Sequence, residues 1–137
     1  MPSRTADLVF GETSERDTQN HIEGFLNETL QRQGGYSTMD YSNQNKTVWA
    51  ELKTRRIRHN QYPTAIIGRN KVNFCSDPEK SYYFFYRYTD GIFYIKYNKT
   101  IFDTFEVDNY QRGERSDCID NAQSCVFIPH GHLTKLA

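Results

Sequence analysis

The residues whose types and spacing could carry chemistry are Asp40, Glu51 and Lys53. Residues Thr47 to Arg55 alternate along the chain, with Val48, Ala50 and Leu52 on one side and Trp49, Glu51 and Lys53 on the other. On an extended strand, positions i and i+2 share a face. Glu51 and Lys53 therefore project together while Leu52 anchors the opposite face. Asp40 lies on a predicted preceding strand, Tyr36 to Tyr41, across the polar turn Ser42 to Lys46. A hairpin of this kind brings two carboxylates and one ammonium to one end of a sheet. Carboxylate oxygens suit a hard divalent ion such as Mg²⁺ or Mn²⁺. Such an ion polarises a phosphate and generates hydroxide. The lysine can orient or deprotonate water, or neutralise developing phosphoryl charge. The blander alternative is a solvated strand face with a cross-strand ion pair. Agreement among the flanking features favours the catalytic reading.

Those flanking features are the elements that must position the three residues. Upstream, Ile22, Phe25, Leu26 and Leu30 recur at helical spacing, which predicts a helix from about Glu12 to Arg32, capped by Thr13 or Ser14 and ended by Gly34-Gly35. Residues Met1 to Val9 read as a loose or strand-like lead-in. Downstream, Lys53 to Arg58 holds four of the 17 basic residues and no acid. Arg55, Arg56 and Arg58, followed by His59, Asn60 and Gln61, form a strip beside the three residues that suits phosphate contact. Gln61 or Tyr62 could also reach the scissile region. Pro63 suits a first helical turn, which predicts a second helix over Thr64 to Val72. Arg69 and Lys71 on or just after it would extend the basic strip. Tyr82 to Tyr88, the turn Thr89-Asp90-Gly91 and Ile92 to Tyr97 form a hairpin whose aromatic residues are expected to build core rather than stack on bases. Ile101 to Val107 and Cys125 to Pro129 read as further strands, and Asp108 to Ser124 as a polar loop. The order gives an α/β or α+β domain with a mixed central sheet flanked by helices, and one domain over residues 1–137.

Asp40 followed by Glu51-x-Lys53, on a strand pair behind a glutamate-bearing helix, resembles the PD-(D/E)XK nuclease superfamily. That group includes restriction enzymes, archaeal Holliday-junction resolvases, phage exonucleases and viral cap-snatching endonucleases. The resemblance covers the first half of the chain and departs from the pattern at Met39, where the family often has proline. It implies a restriction-endonuclease-like core and a nuclease using Mg²⁺ or Mn²⁺, with products bearing 5′-phosphate and 3′-hydroxyl ends. It also implies a glutamate on the first helix that completes the metal shell. At about 100° per residue, Glu15 falls on the stripe of Ile22, Leu26 and Leu30, Glu23 lies beside it and Glu28 lies on the far side. Glu15 is the first choice as catalytic and metal-binding residue, Glu23 the alternative and Glu12 the third. In several related nucleases the second helix turns a basic residue to the site, which singles out Lys71 for nucleic-acid contact.

Composition limits the alternatives. Equal numbers of basic and acidic residues, 17 each, exclude a strongly basic binding module. The aromatic share of 15% argues against disorder despite a mean hydropathy of −0.82. Three widely spaced cysteines do not look like a secreted disulfide framework. His130-Gly131-His132 with Cys118 and Cys125 fits no strong zinc template. The start lacks a signal-peptide core and no stretch has the length of a membrane span. These features predict a soluble, intracellular protein whose partner is nucleic acid, with DNA favoured over RNA. A homodimer or a recruiting protein partner is compatible with so short a chain. The rivals are an RNA endonuclease of the same fold and a non-catalytic nucleic-acid-binding or assembly module with a relic site.

Overall fold

The computed structural model describes residues 4–110 and 123–137. The first helix, α1, runs Arg4–Leu26. It begins earlier and ends earlier than its apolar spacing predicts. Asn27 adopts a left-handed φ of 53°, and the Glu28 N–H donates to the Glu23 carbonyl at 3.2 Å. That is a Schellman closure, in which asparagine takes the left-handed position that glycine often fills. Gly34-Gly35 therefore ends nothing. Leu30 is buried as expected, but from the segment after the helix.

Short strands β1 (Gln31–Arg32) and β2 (Tyr41–Ser42) form an antiparallel pair. The strand expected over Tyr36 to Tyr41 is thus reduced to its last residue and the one following. Next, β3 (Val48–Thr54) pairs with β2 through Tyr41–Ala50 and Ser42–Trp49. The chain then leaves for β4 (Thr64–Gly68) and α2 (Arg69–Phe74). The helix expected over Thr64 to Val72 is a strand for its first five residues. Thr64, Ile66 and Ile67 are β-branched, and the alternating burial of Ala65 and Ile67 has period two.

Strands β5 (Ser81–Tyr88) and β6 (Gly91–Lys96) form the expected hairpin. Asn98 then caps a short helix, α3 (Lys99–Phe102), by accepting from the Ile101 N–H, and β7 (Glu106–Tyr110) follows. The single strand expected over Ile101 to Val107 is split between these two. The last strands are β8 (Gln123–Pro129) and β9 (Thr134–Lys135). Of the expected loop Asp108 to Ser124, the first three residues belong to β7 and the last two to β8. The rest of it, with Cys118, lies outside the described residues.

The six-stranded sheet has the order β1-β2-β3-β5-β6-β9. Only β3 and β5 run parallel, because the chain crosses over between them through β4 and α2. A separate antiparallel sheet has the order β4-β8-β7. The larger sheet is covered on both faces, giving two cores. On one side Ala50, Leu52 and Phe85 pack with Ile22 and Leu26 of α1. On the other, Trp49, Tyr82, Phe84, Tyr86 and Ile95 pack with Ala65, Ile67, Val126 and Ile128 of the smaller sheet. The aromatic residues of β5 are therefore core on both faces, as their alternation predicts.

Candidate active site

Strand β3 is buried from Trp49 to Leu52, and Glu51 sits at its centre with only 1% of its surface exposed. Its register partner on β5 is Phe84. Glu51 thus faces the aromatic core between the two sheets, where an ionised carboxylate is costly unless it is paired and hydrogen-bonded. Three groups meet that demand. The Asp40 N–H donates to Glu51 Oε1 at 3.1 Å. Lys53 Nζ lies 3.3 Å and Lys71 Nζ 3.1 Å from Glu51 Oε2. Asp40 fixes the arrangement from the other direction, since its Oδ2 accepts from the Leu52 N–H at 3.1 Å. That amide lies beyond the end of the β2–β3 ladder, so the Asp40 carboxylate supplies the acceptor a longer strand would have provided.

Two carboxylates and two ammoniums therefore converge, with formal charges that cancel. The side chains of Lys53 and Lys71 are 27% and 20% exposed while that of Glu51 is 1% exposed. The cations rim the site and the carboxylate forms its floor. Burial pushes the Glu51 carboxyl above its ordinary range, the nearby Asp40 carboxylate adds to this, and the two lysines oppose it. Lys71 reaches the site from α2, where its ammonium also donates to the Thr38 carbonyl.

The donor set fits a divalent ion. Asp40 and Glu51 offer oxygen ligands of the kind a hard divalent ion takes. Among the described residues no group of three or more acidic, histidine or cysteine side chains converges. The protein would thus supply two carboxylates, a number that suits Mg²⁺ completed by water and phosphate oxygens.

Glu15 and Glu23 stand elsewhere. Glu15 accepts from the Tyr41 hydroxyl at 2.8 Å and from the Arg32 guanidinium, and Glu23 accepts from the Leu30 N–H at 2.7 Å. The shared physical reason is that α1 packs on the Ala50–Leu52 face of the sheet, whereas Glu51 projects from the other. The expected third carboxylate is thus not brought to the pair. The Glu15 network has its own consequence: burial, and then the hydrogen bond to Glu15, raise the Tyr41 hydroxyl well above its usual range.

The basic strip leaves β3 directly after the site. Arg56 and Arg58 are exposed, and Arg55 is half-buried with its guanidinium on the Thr54 carbonyl at 3.1 Å. The strip is pinned to the β5–β6 hairpin. The Arg55 N–H donates to the Arg87 carbonyl at 2.9 Å and the Thr89 N–H to the Ile57 carbonyl at 3.0 Å. His59 donates its N–H to Asp90 Oδ1 at 2.9 Å and sets its Nδ1 2.5 Å from Oδ2. Its ring stacks on Phe93 with a centroid distance of 4.3 Å. Sequence reasoning noted His59 only as part of the strip and Asp90 only as a turn residue, and no spacing rule links them.

A family model described as "phage putative PDDEXK endonuclease" matches residues 9–136. The chain belongs to this family. No curated protein and no solved structure matches it. The mixed six-stranded sheet flanked by helices is accordingly the restriction-endonuclease-like fold. Membership in a PD-(D/E)XK endonuclease family makes nuclease chemistry on nucleic acid the activity to which Asp40, Glu51 and Lys53 are to be related. Among the described residues, no helix is long and apolar enough to cross a membrane.

Proposed function

We propose that this PD-(D/E)XK protein is a divalent-metal-dependent nuclease that hydrolyses phosphodiester bonds of DNA, with residues 1–137 acting as one catalytic domain. The observation that carries the reading is the convergence of the Asp40 and Glu51 carboxylates with the Lys53 and Lys71 ammoniums. Asp40 and Glu51 would hold Mg²⁺ or Mn²⁺. When bound, such an ion activates water and stabilises charge on the phosphate.

The chain's own residues do the rest. Lys53 Nζ donates to the oxygen of the attacking water and fixes its approach. Lys71 Nζ, held over the site by the Thr38 carbonyl, donates to a non-bridging phosphate oxygen as charge grows there. Attack by the water forms a new P–O bond and breaks the bond to the 3′ oxygen; the water gives up a proton to solvent and the departing 3′ oxygen takes one from solvent, leaving 5′-phosphate and 3′-hydroxyl ends. Arg55, Arg56 and Arg58 contact backbone phosphates on either side, which positions the strand without reading its sequence. Glu15 supports the site indirectly by orienting Tyr41, the residue after Asp40.

DNA is favoured because most of the related nuclease groups act on it. Cleavage of matched DNA and RNA oligonucleotides in Mg²⁺ or Mn²⁺ separates the two substrates. Preferred cleavage of RNA would overturn the DNA assignment and leave the site intact.

A further inference from the structure

The loop between β1 and β2, residues 33–40, ends on Asp40 and is closed by the Gln33 N–H donating to the Asp40 carbonyl at 2.8 Å. Its frame is held at several points. Met39 is 1% exposed and packs into the aromatic core. The Ser37 hydroxyl donates to the Met39 carbonyl at 2.8 Å, and the Thr38 carbonyl accepts from Lys71. At the tip, the Ser37 N–H donates to the Gly34 carbonyl at 2.9 Å, which leaves Gly35 and Tyr36 at the corners of a tight turn.

Tyr36 is fully exposed, at 107%. The other tyrosines whose burial is described are buried or half-buried. A Cβ placed on Gly34 or Gly35 would meet nothing within 4 Å, so the space around the tip is open. A single exposed aromatic is ordinary on a protein surface. This one differs in its frame, because the loop that carries it is fastened to a proposed metal ligand at one end and to a proposed catalytic lysine in the middle. Tyr36 lies four positions before Asp40, a reach of at most about 14 Å. With stacked nucleotides spaced about 3.4 Å along a strand, the ring falls within about four nucleotides of the scissile phosphate.

We infer that Tyr36 is a base-stacking residue, and that the substrate carries an unpaired base next to the cut, as in a single strand, a flap or a frayed end. A ring in open water beside a phosphodiester-binding site offers a face on which any base can stack. In continuous duplex the bases already stack on one another and leave that face unused. The inference rests on the nuclease reading and deepens it.

The test uses oligonucleotides with 2-aminopurine at each position within four nucleotides of the cut, as single strand, flap and duplex. Fluorescence is read without divalent ion, and cleavage with it. The wild-type protein is expected to quench the probe at one position in the single strand or flap. Tyr36→Phe is expected to keep the quenching and Tyr36→Ala to abolish it. Tyr36→Ala should bind the single strand about 5- to 150-fold more weakly, as expected for the loss of one stacked base. Its preference for single strand over duplex in cleavage should fall accordingly. If Tyr36→Ala matches the wild type on every substrate, stacking is overturned while cleavage by the wild type keeps the nuclease reading. Equal losses on duplex and single strand overturn it too, since they mark a general binding contact. A wild-type protein that neither binds nor cuts nucleic acid overturns both.

Discussion

Lys71→Met tests the electrostatics of the site on stability alone. Lys71 Nζ lies 3.1 Å from Glu51 Oε2, which at an effective dielectric of about 20 corresponds to a gross attraction of about 5 kcal/mol. Rehydration of the freed ammonium in the unfolded reference offsets part of this. Removing one partner of a buried pair costs about 3–5 kcal/mol in net terms. Lys53 remains 3.3 Å from the same oxygen, so the expected loss is near the lower end, about 3 kcal/mol at pH 8. The loss depends on pH. Burial already raises the Glu51 carboxyl, and without Lys71 it rises further. A raised folded-state carboxyl binds more protons than the unfolded chain, so stability falls as pH climbs from the ordinary carboxylate range through the folded value. Towards the ordinary carboxylate range Glu51 takes up its proton more readily in the folded variant than in the unfolded chain, so the electrostatic penalty shrinks as pH falls. Loss of the hydrogen bond to the Thr38 carbonyl adds about 1 kcal/mol at every pH. Urea unfolding at pH 4.5, 6 and 8 without divalent ions measures both parts. A penalty that does not change with pH would refute the claim that Lys71 compensates a buried Glu51 charge.

Two further outcomes follow from the fold around the site. Leu52→Ala should destabilise by about 2–3 kcal/mol in the same unfolding assay. The low end applies because Leu52 retains 9% exposure, and no loss would mean that the Ala50–Leu52 face is not packed against α1. For Asp90, burial pushes the carboxyl up, but hydrogen bonds from the His59 ring and backbone outweigh it and hold the group below its ordinary range. Its contribution is present above the usual carboxylate range and lost as pH falls through the lowered value. Asp90→Asn should therefore destabilise above pH 5 by about 1–2 kcal/mol, with the gap from wild type narrowing below pH 4. A gap that widens in acid would contradict the pairing.

What the sequence disclosed about the site came from β3. Period-two alternation put Glu51 and Lys53 on one face, and the hairpin spacing put Asp40 beside them. Both are local consequences of strand geometry. The aromatic hairpin was legible for the same reason, since β5 and β6 are adjacent in sequence and in the sheet. The partnership of Lys71 with Glu51 depends on a crossover that carries the chain through a second sheet, and no periodicity encodes where that crossover returns. Glu15 was misdirected because a helical stripe identifies the buried face of α1 but not the face of the sheet it meets. Thr64 to Gly68 was read as helix because Pro63 suits a helix start as well as a strand start, and five residues are too few to separate the two periods. The spacing carries the end of α1 on to Arg32 rather than Leu26 because Asn27, not the glycine pair, takes the left-handed conformation.

The central claim is that Asp40, Glu51 and Lys53 form a metal-dependent centre for phosphodiester hydrolysis. Single-turnover cleavage of labelled DNA, titrated with Mn²⁺ and run beside thermal melting, tests it most directly. The account predicts that the wild type cuts only with the divalent ion. Asp40→Asn and Glu51→Gln should lose cleavage together with metal-induced stabilisation. Lys53→Ala should stay folded and bind Mn²⁺, yet cut at least about 100-fold more slowly. Undiminished cleavage by folded Lys53→Ala, or wild-type cleavage that persists in excess EDTA, would contradict it.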